Sequence, residues 1–157
     1  MEGSVPLAAP VDARQSEAAL RIARGVRRLL RTFDFSSLTE VPLRSGRRAD
    51  LLAINGRGEI WIVEVKSSVA DFRADRKWLE YRTHCDRLFF ATAPEVPAGI
   101  FPPDAGLIIA DGFGGAIERE APVHTLPAAT RKEVLLRFGR CGAERLHMLH
   151  DPLMPER

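Results

Sequence analysis

The segment Arg48 to Lys66, "RADLLAINGRGEIWIVEVK", constrains the fold more than any other part of the chain. Two runs rich in aliphatic, β-branched and aromatic residues flank "NGRG", a strong hairpin signal. Side chains alternate across a strand, so Glu64 and Lys66 share one face of the second run, while Val63 and Val65 take the other and can join the core. An acid and a base in such a run need a reason, because burying charge is costly unless something pairs with it. If the loop is Gly56-Arg57-Gly58, with Gly58 in the left-handed position, Ile54 pairs with Ile60, Asn55 with Glu59, and Asp50 falls opposite Glu64. A two- or four-residue loop would turn Asp50 to the other face unless a bulge restored it.

In that register two carboxylates sit side by side. At about 4 Å and an effective dielectric near 20 they repel by roughly 4 kcal/mol. Lys66 offsets part of this, and a divalent cation offsets it better; oxygen ligands suit Mg²⁺ or Mn²⁺. Such a cation polarises a phosphoryl oxygen and lowers the pKa of a bound water. Lys66 is then free to orient the water or stabilise charge on the phosphate. The plain alternative is an ordinary ion pair on a solvated strand face, and the pattern alone leaves both readings open.

The rest of the chain supplies a scaffold. Residues 1–11 are Pro/Ala-rich and read as a loose arm. From about Asp12 to Phe33, apolar residues recur at helical spacing, with Asp12 or Ser16 as cap. "SLTEVPLRS" reads as a short strand that Pro42 pushes toward an edge. After the hairpin come a helix over "SSVADFRADRKWLEYRTHC", a buried strand "RLFFATA", a Pro-rich loop, and a strand–turn–strand "GLIIADGFGGAIERE". A second amphipathic helix, "LPAATRKEVLLRFGR", should stop near Gly139, leaving a tail from 146 to 157. The order predicts an α/β (α+β) fold with one mixed central sheet flanked by helices, in a single domain over 12–145.

Composition narrows the function little. The 157 residues carry a net charge of +2, too small to argue for nucleic acid. Most of the positive charge is Arg, concentrated between Arg14 and Arg48, and Arg suits bidentate phosphate contacts. Two cysteines give no disulfide framework, so a reducing cytoplasm is expected. No export signal and no membrane-spanning helix are expected either.

Asp50, then Glu64-Val65-Lys66, then a helix, resembles the PD-(D/E)XK nuclease superfamily, the restriction-endonuclease-like fold with an αβββαβ core. Lys77 and Tyr81, four apart, resemble the Q-x-x-x-Y element of some members, with Lys in place of Gln. The usual Pro before the first acid is absent, since Ala49 stands there. More closely, "TEVPLRSGRRADLLAI", "EIWIVEVKSSVADFRADRKWLEYRTHCDRLFFA" and "GLIIAD" resemble the MmcB-like family of bacterial DNA repair proteins over roughly Leu20 to Glu120. The resemblance implies a metal-dependent phosphodiesterase fold acting on DNA. Asp50, Glu64 and the Val65 carbonyl would hold Mg²⁺ or Mn²⁺, and Lys66 would assist the attacking water. It also implies that other repair proteins are partners. The alternative is an inactive DNA-binding or scaffolding relative. A homodimer would let two sites address two strands.

Some residues have two readings. A third acid would come from Glu17 in the first helix or Glu40 in the first strand; otherwise Glu17 complements the helix dipole and Glu40 is an edge residue. Arg21, Arg24, Arg28 and Arg31 form a stripe that either tracks a phosphate backbone or is a solvated helix face. Arg44, Arg47 and Arg48 precede Asp50 at the expected entrance to the site, and Lys77 and Tyr81 are within reach of a phosphate or nucleotide. Trp78 reads as a packing residue, Asp71 and Asp75 as a cap and a helix-surface pair, and Asp86 as the partner of a helix end or an Arg. Cys141, His147 and His150 fit no closed zinc site; "DGFGG" lacks the residues of a phosphate loop; His84-Cys85 lacks the setting of a reactive thiol.

Overall fold

The computed structural model describes residues 16–153 and residue 155, so the arm at 1–11 and the Asp12 cap lie outside the described residues. Helix α1 (Glu17–Thr32) opens at Ser16, whose Oγ accepts from the Ala19 N–H at 3.1 Å. Strands β1 (Ser36–Pro42), β2 (Arg48–Ile54) and β3 (Ile60–Val65) follow. A short helix α2 (Val69–Ala74) and a 3-10 helix (Trp78–His84) lead to β4 (Arg87–Thr92), β5 (Gly106–Ala110), β6 (Gly115–Arg119) and helix α3 (Ala128–His150). The six strands form one mixed sheet in sequence order, parallel at β3–β4 and β4–β5 and antiparallel elsewhere. This is the expected α+β architecture, with Pro42 on the edge strand.

The apolar stripe of α1, Ile22, Val26 and Leu30, packs on one sheet face against Leu51, Trp61, Val63, Phe89 and Ile108. The opposite face, with Leu52, Ile60, Ile62 and Leu88, is covered by Tyr81 and by Val134 and Cys141 of α3. Both faces of β3 are therefore buried, and the solvated polar face open in the sequence reading does not exist.

Two helices differ from expectation. The single helix predicted over 67–85 is broken at Asp75, whose backbone is extended. Phe72 and Trp78 both reach Phe90, with ring centroids 5.4 Å away in each case. Six residues apart on a continuous α-helix, they would point about 120° apart; the break lets both reach the same ring. Helix α3 runs through Gly139 to His150, so the boundary drawn at 146 falls inside it. A mid-helix Gly costs about 1 kcal/mol, and tertiary anchors beyond it outweigh that. Cys141 is buried, and the Arg145 guanidinium donates to the carbonyls of Thr39 and Glu40.

Two joints fix the geometry. Asp86 is 4% exposed and accepts from the N–H groups of Ile60 and Leu126 and from Arg131 at 2.6 Å. Burial alone would raise its pKa, but the guanidinium and backbone donors hold it below the usual carboxylate range. At Gly25, α1 lies so close to the β5–β6 turn that a Cβ would fall on the carbonyl oxygens of Asp111 and Gly114.

Asp86→Ala should therefore destabilise the chain by about 3–5 kcal/mol, because it strands Arg131 and two backbone donors. The depressed carboxyl contributes stability above its ordinary range and loses it as pH falls through the folded value. In urea melts at pH 7 and pH 3, the variant's deficit should shrink at pH 3. Gly25→Ala should cost about 1–3 kcal/mol by the same measurement, since the obstacle is backbone that cannot swing aside.

Candidate functional site

The hairpin register comes out as the three-residue loop requires. Ile54 pairs with Ile60, the Asn55 N–H donates to the Glu59 carbonyl at 3.2 Å, and Gly58 has φ +78°. The β2–β3 ladder ends at Leu51–Val63, although β2 continues beside β1 to Arg48 and β3 continues beside β4 to Val65. Beyond that point side chains take over. The Asp50 N–H donates to Glu64 Oε1 at 3.3 Å, and the Val65 N–H donates to Asp50 Oδ2 at 2.8 Å. The two inner strands part here, and a hollow of about 790 Å³ opens at their ends.

Asp50, Glu64, Val65 and Lys66 all line this hollow, as do Glu40, Arg47, Arg48, Lys77 and Tyr81. Glu64 is 3% exposed and Lys66 8%. Burial and the neighbouring Asp50 charge push the Glu64 carboxyl well above its usual range. Burial raises Asp50 too, against its hydrogen bonds to Glu64 and to the Val65 N–H. Both carboxyls are thus raised by burial, and the pair is coupled, with Glu64 shifted the further.

Lys66 does not neutralise this pair directly. Its Nζ lies 2.7 Å from Asp75 Oδ2, and both side chains are nearly buried. Burial works against the ammonium, but Asp75 lifts the Lys66 pKa above its ordinary value and keeps it charged. Asp75 is fixed in turn by the Lys77 N–H, which donates to its Oδ1 at 2.8 Å. The surface pairing expected of Asp75 is thus corrected: its partner is the buried lysine. A signal was present in the sequence, since Phe72 and Trp78 straddle Asp75 and cannot share one helix face.

The other candidates divide. Counting between the pairs Thr39–Leu51 and Val41–Ala49 puts Glu40 beside Asp50, so Glu40, Asp50 and Glu64 lie in a row across three strands. Glu40 has φ +50°, interrupting the β1 ladder, and its carboxylate lies 3.8 Å from Arg48. Glu17 lies outside the lining of the hollow, exposed and 3.9 Å from Arg21. Arg47 is paired with Glu80 at 2.8 Å, while the Tyr81 hydroxyl donates to the Arg48 carbonyl at 3.1 Å. Asp71 takes part in the cap of α2: its Oδ2 accepts from the Ser67 N–H at 3.1 Å, and its own N–H donates to the Ser68 Oγ at 3.0 Å. Among the described residues no group of three or more His, Cys, Asp or Glu is arranged to hold a metal ion. Cys85 and Cys141 are free and buried, and burial raises both thiols. Among the described residues no helix is long and apolar enough to cross a membrane.

Comparison with known proteins bears on this arrangement. No curated protein matches the chain. A solved structure of a protein of unknown function from Silicibacter pomeroyi is similar at 45% identity, with a TM-score of 0.82 over 88% of this chain and 94% of that one. The family described as "DNA repair protein MmcB-like" matches residues 7–153, nearly the whole chain. The splayed hairpin, with its paired acids and enclosed lysine, is therefore the candidate site of a chain that belongs to the MmcB-like DNA repair protein family.

Proposed function

We propose that this protein is a metal-dependent nuclease that hydrolyses DNA phosphodiester bonds in repair. One observation carries the reading: Asp50 and Glu64 meet carboxyl to carboxyl at the open end of the sheet, with a charged lysine two residues further on. The resemblance of Asp50…Glu64-Val65-Lys66 to the PD-(D/E)XK pattern supports it, and the family's repair description supports DNA as the substrate.

The donor set fits a hard divalent cation such as Mg²⁺ or Mn²⁺. Two buried carboxyls offer oxygen ligands, and Lys66, committed to Asp75, offsets their repulsion only in part, so a cation between them would relieve the rest. Asp50 and Glu64 would hold the ion, with the Val65 carbonyl as third ligand by resemblance and Glu40, not Glu17, as the nearby acid. When bound, the ion would polarise the phosphoryl oxygen and acidify a water. Lys66, held as a cation by Asp75, suits the stabilisation of phosphate charge better than proton abstraction. Arg47, Arg48, Lys77 and Tyr81 line the hollow where flanking phosphates would lie. A second reading keeps the fold and its DNA binding without cleavage, as a scaffold for other repair proteins. It is favoured by the lack, among the described residues, of any cluster of three His, Cys, Asp or Glu fit to hold a metal.

Purified protein with Mn²⁺ should cut flapped, branched or single-stranded DNA, and Lys66→Ala should lower the rate by about 10²–10³. No cleavage above the Lys66→Ala level under any metal condition removes the enzymatic claim. Calorimetric titration with Mn²⁺ should find a site that Asp50→Asn abolishes, whereas a scaffold shows none.

Stability gives an independent measurement. A carboxyl whose pKa is raised by folding binds its proton more tightly when folded, so stability falls as pH rises from the ordinary Glu range, about 4.3, through the folded value. In EDTA, wild-type Tm should drop between pH 5 and pH 8, and Glu64→Gln should flatten that slope and raise Tm at pH 8. Each kcal/mol recovered is worth about 2–4 °C. Mn²⁺ should raise the wild-type Tm at pH 8 and leave Glu64→Gln nearly unchanged.

A further inference from the structure

A second hollow, of about 810 Å³, runs between α1 and the start of β1. It shares Leu20, Ala23 and Thr39 with the first, so the two hollows adjoin at these residues and line up as a trough along α1. Its wall carries Arg24, Arg27, Arg28 and Arg31, and among the described residues Asp34 is the lone acid in its lining. Spacings of three and four put these side chains on one side of the helix. Arg27 is tethered to the Ser37 hydroxyl and carbonyl at 3.0 Å each, and Arg28 donates to the Phe113 carbonyl at 3.3 Å. Arg24 and Arg31 are exposed and pair with no carboxylate among the described residues. Leu20, 52% exposed, stands where the two hollows join.

We propose that a single DNA strand leaves the candidate site along this trough, with Leu20 under the first base and the phosphates over Arg24, Arg27 and Arg31. The inference rests on the DNA reading of the adjoining site and adds the path that the strand takes. A positively charged groove that follows a backbone, with an apolar contact for a base, is how single strands are held without regard to sequence. Four arginines facing one acid complement a polyanion. Leu20 to Arg31 spans about 16 Å at helical rise, or about five stacked nucleotides at 3.4 Å each. The solvated-face reading of the arginine stripe supplies no reason for the trough to open into the carboxylate site.

The test is fluorescence anisotropy of a labelled 12-nucleotide single strand in EDTA across salt concentrations. It uses the whole chain, Arg24→Gln/Arg31→Gln, and Lys132→Gln, which removes an exposed charge from α3 on the opposite face. Thermal melts check that each variant is folded. Losing two phosphate contacts should reduce the slope of log K against log salt by about 1.4 and weaken binding at least tenfold at low salt, with Lys132→Gln within twofold of wild type. Wild-type affinity and slope in the double variant overturn the path, as does equal weakening by Lys132→Gln or tighter binding of a blunt duplex. Cleavage separates the two claims. A slope that depends on Arg24 and Arg31 in a protein that cuts nothing keeps the path and removes the nuclease. Lys66-dependent cutting that the double variant retains, with unchanged binding, keeps the nuclease and removes the path.

Discussion

The structure depends on the point where β2 and β3 stop pairing. A ladder that ends inside a sheet leaves backbone donors without partners, and buried donors must be satisfied. Here the Glu64 and Asp50 carboxyls accept from the Asp50 and Val65 N–H groups, so the side chains that open the sheet also stitch its torn edge. The outer ladders continue past the tear, β1 beside β2 and β4 beside β3, which keeps it from spreading. Polar side chains thus replace backbone bonds at one place, and the cost is two like charges in contact.

The fate of the lysine separates a site from an ordinary ion pair. A purely structural arrangement would set the Lys66 ammonium against Glu64, two residues before it on the same face. Instead the ammonium is drawn to Asp75, and its field lowers the two carboxyls only in part. The break between α2 and the 3-10 helix serves this geometry, because an extended Asp75 can face the strand while Phe72 and Trp78 anchor both flanks on Phe90. Acid pair and base are each buried, close, and kept from cancelling. That is costly in a fold with no use for it, and it is what a site needs if charge is to be met by something that arrives later.

Much of this was legible because period and turn chemistry are local. Gly58 in the left-handed position fixes a three-residue loop, the loop fixes the parity of every residue in both strands, and parity brings Asp50 to Glu64. What could not be read depends on distant partners. The partner of Asp75, Lys66, lies just past the end of β3, and no local pattern connects the two; the helix stop expected at Gly139 ignored anchors supplied by β1 through Arg145. Glu40 and Glu17 were equal candidates in sequence. In the structure Glu40 lies beside Asp50 and lines the hollow, and Glu17 does neither.

The same tear explains why the basic face of α1 matters where it is. Helix α1 packs on the sheet through Ile22, Val26 and Leu30, so its arginines are forced to the outer side, next to the edge strand β1. The Arg27 tether to Ser37 holds helix and strand as the two walls of the trough, while Arg24 and Arg31 pair with no carboxylate among the described residues. A solvated helix face tolerates arginines at any angle, with their charges scattered or matched by acids at i+4. Here Glu17 answers Arg21, which lines neither hollow, and among the described residues no carboxylate pairs with Arg24 or Arg31, which border the opening. Negative charge is concentrated at the end of the trough and positive charge along it. Under the proposed function, a phosphate chain lying along the arginines would reach the carboxylates last, so the acid pair bears on the end of the strand and the arginines on its length.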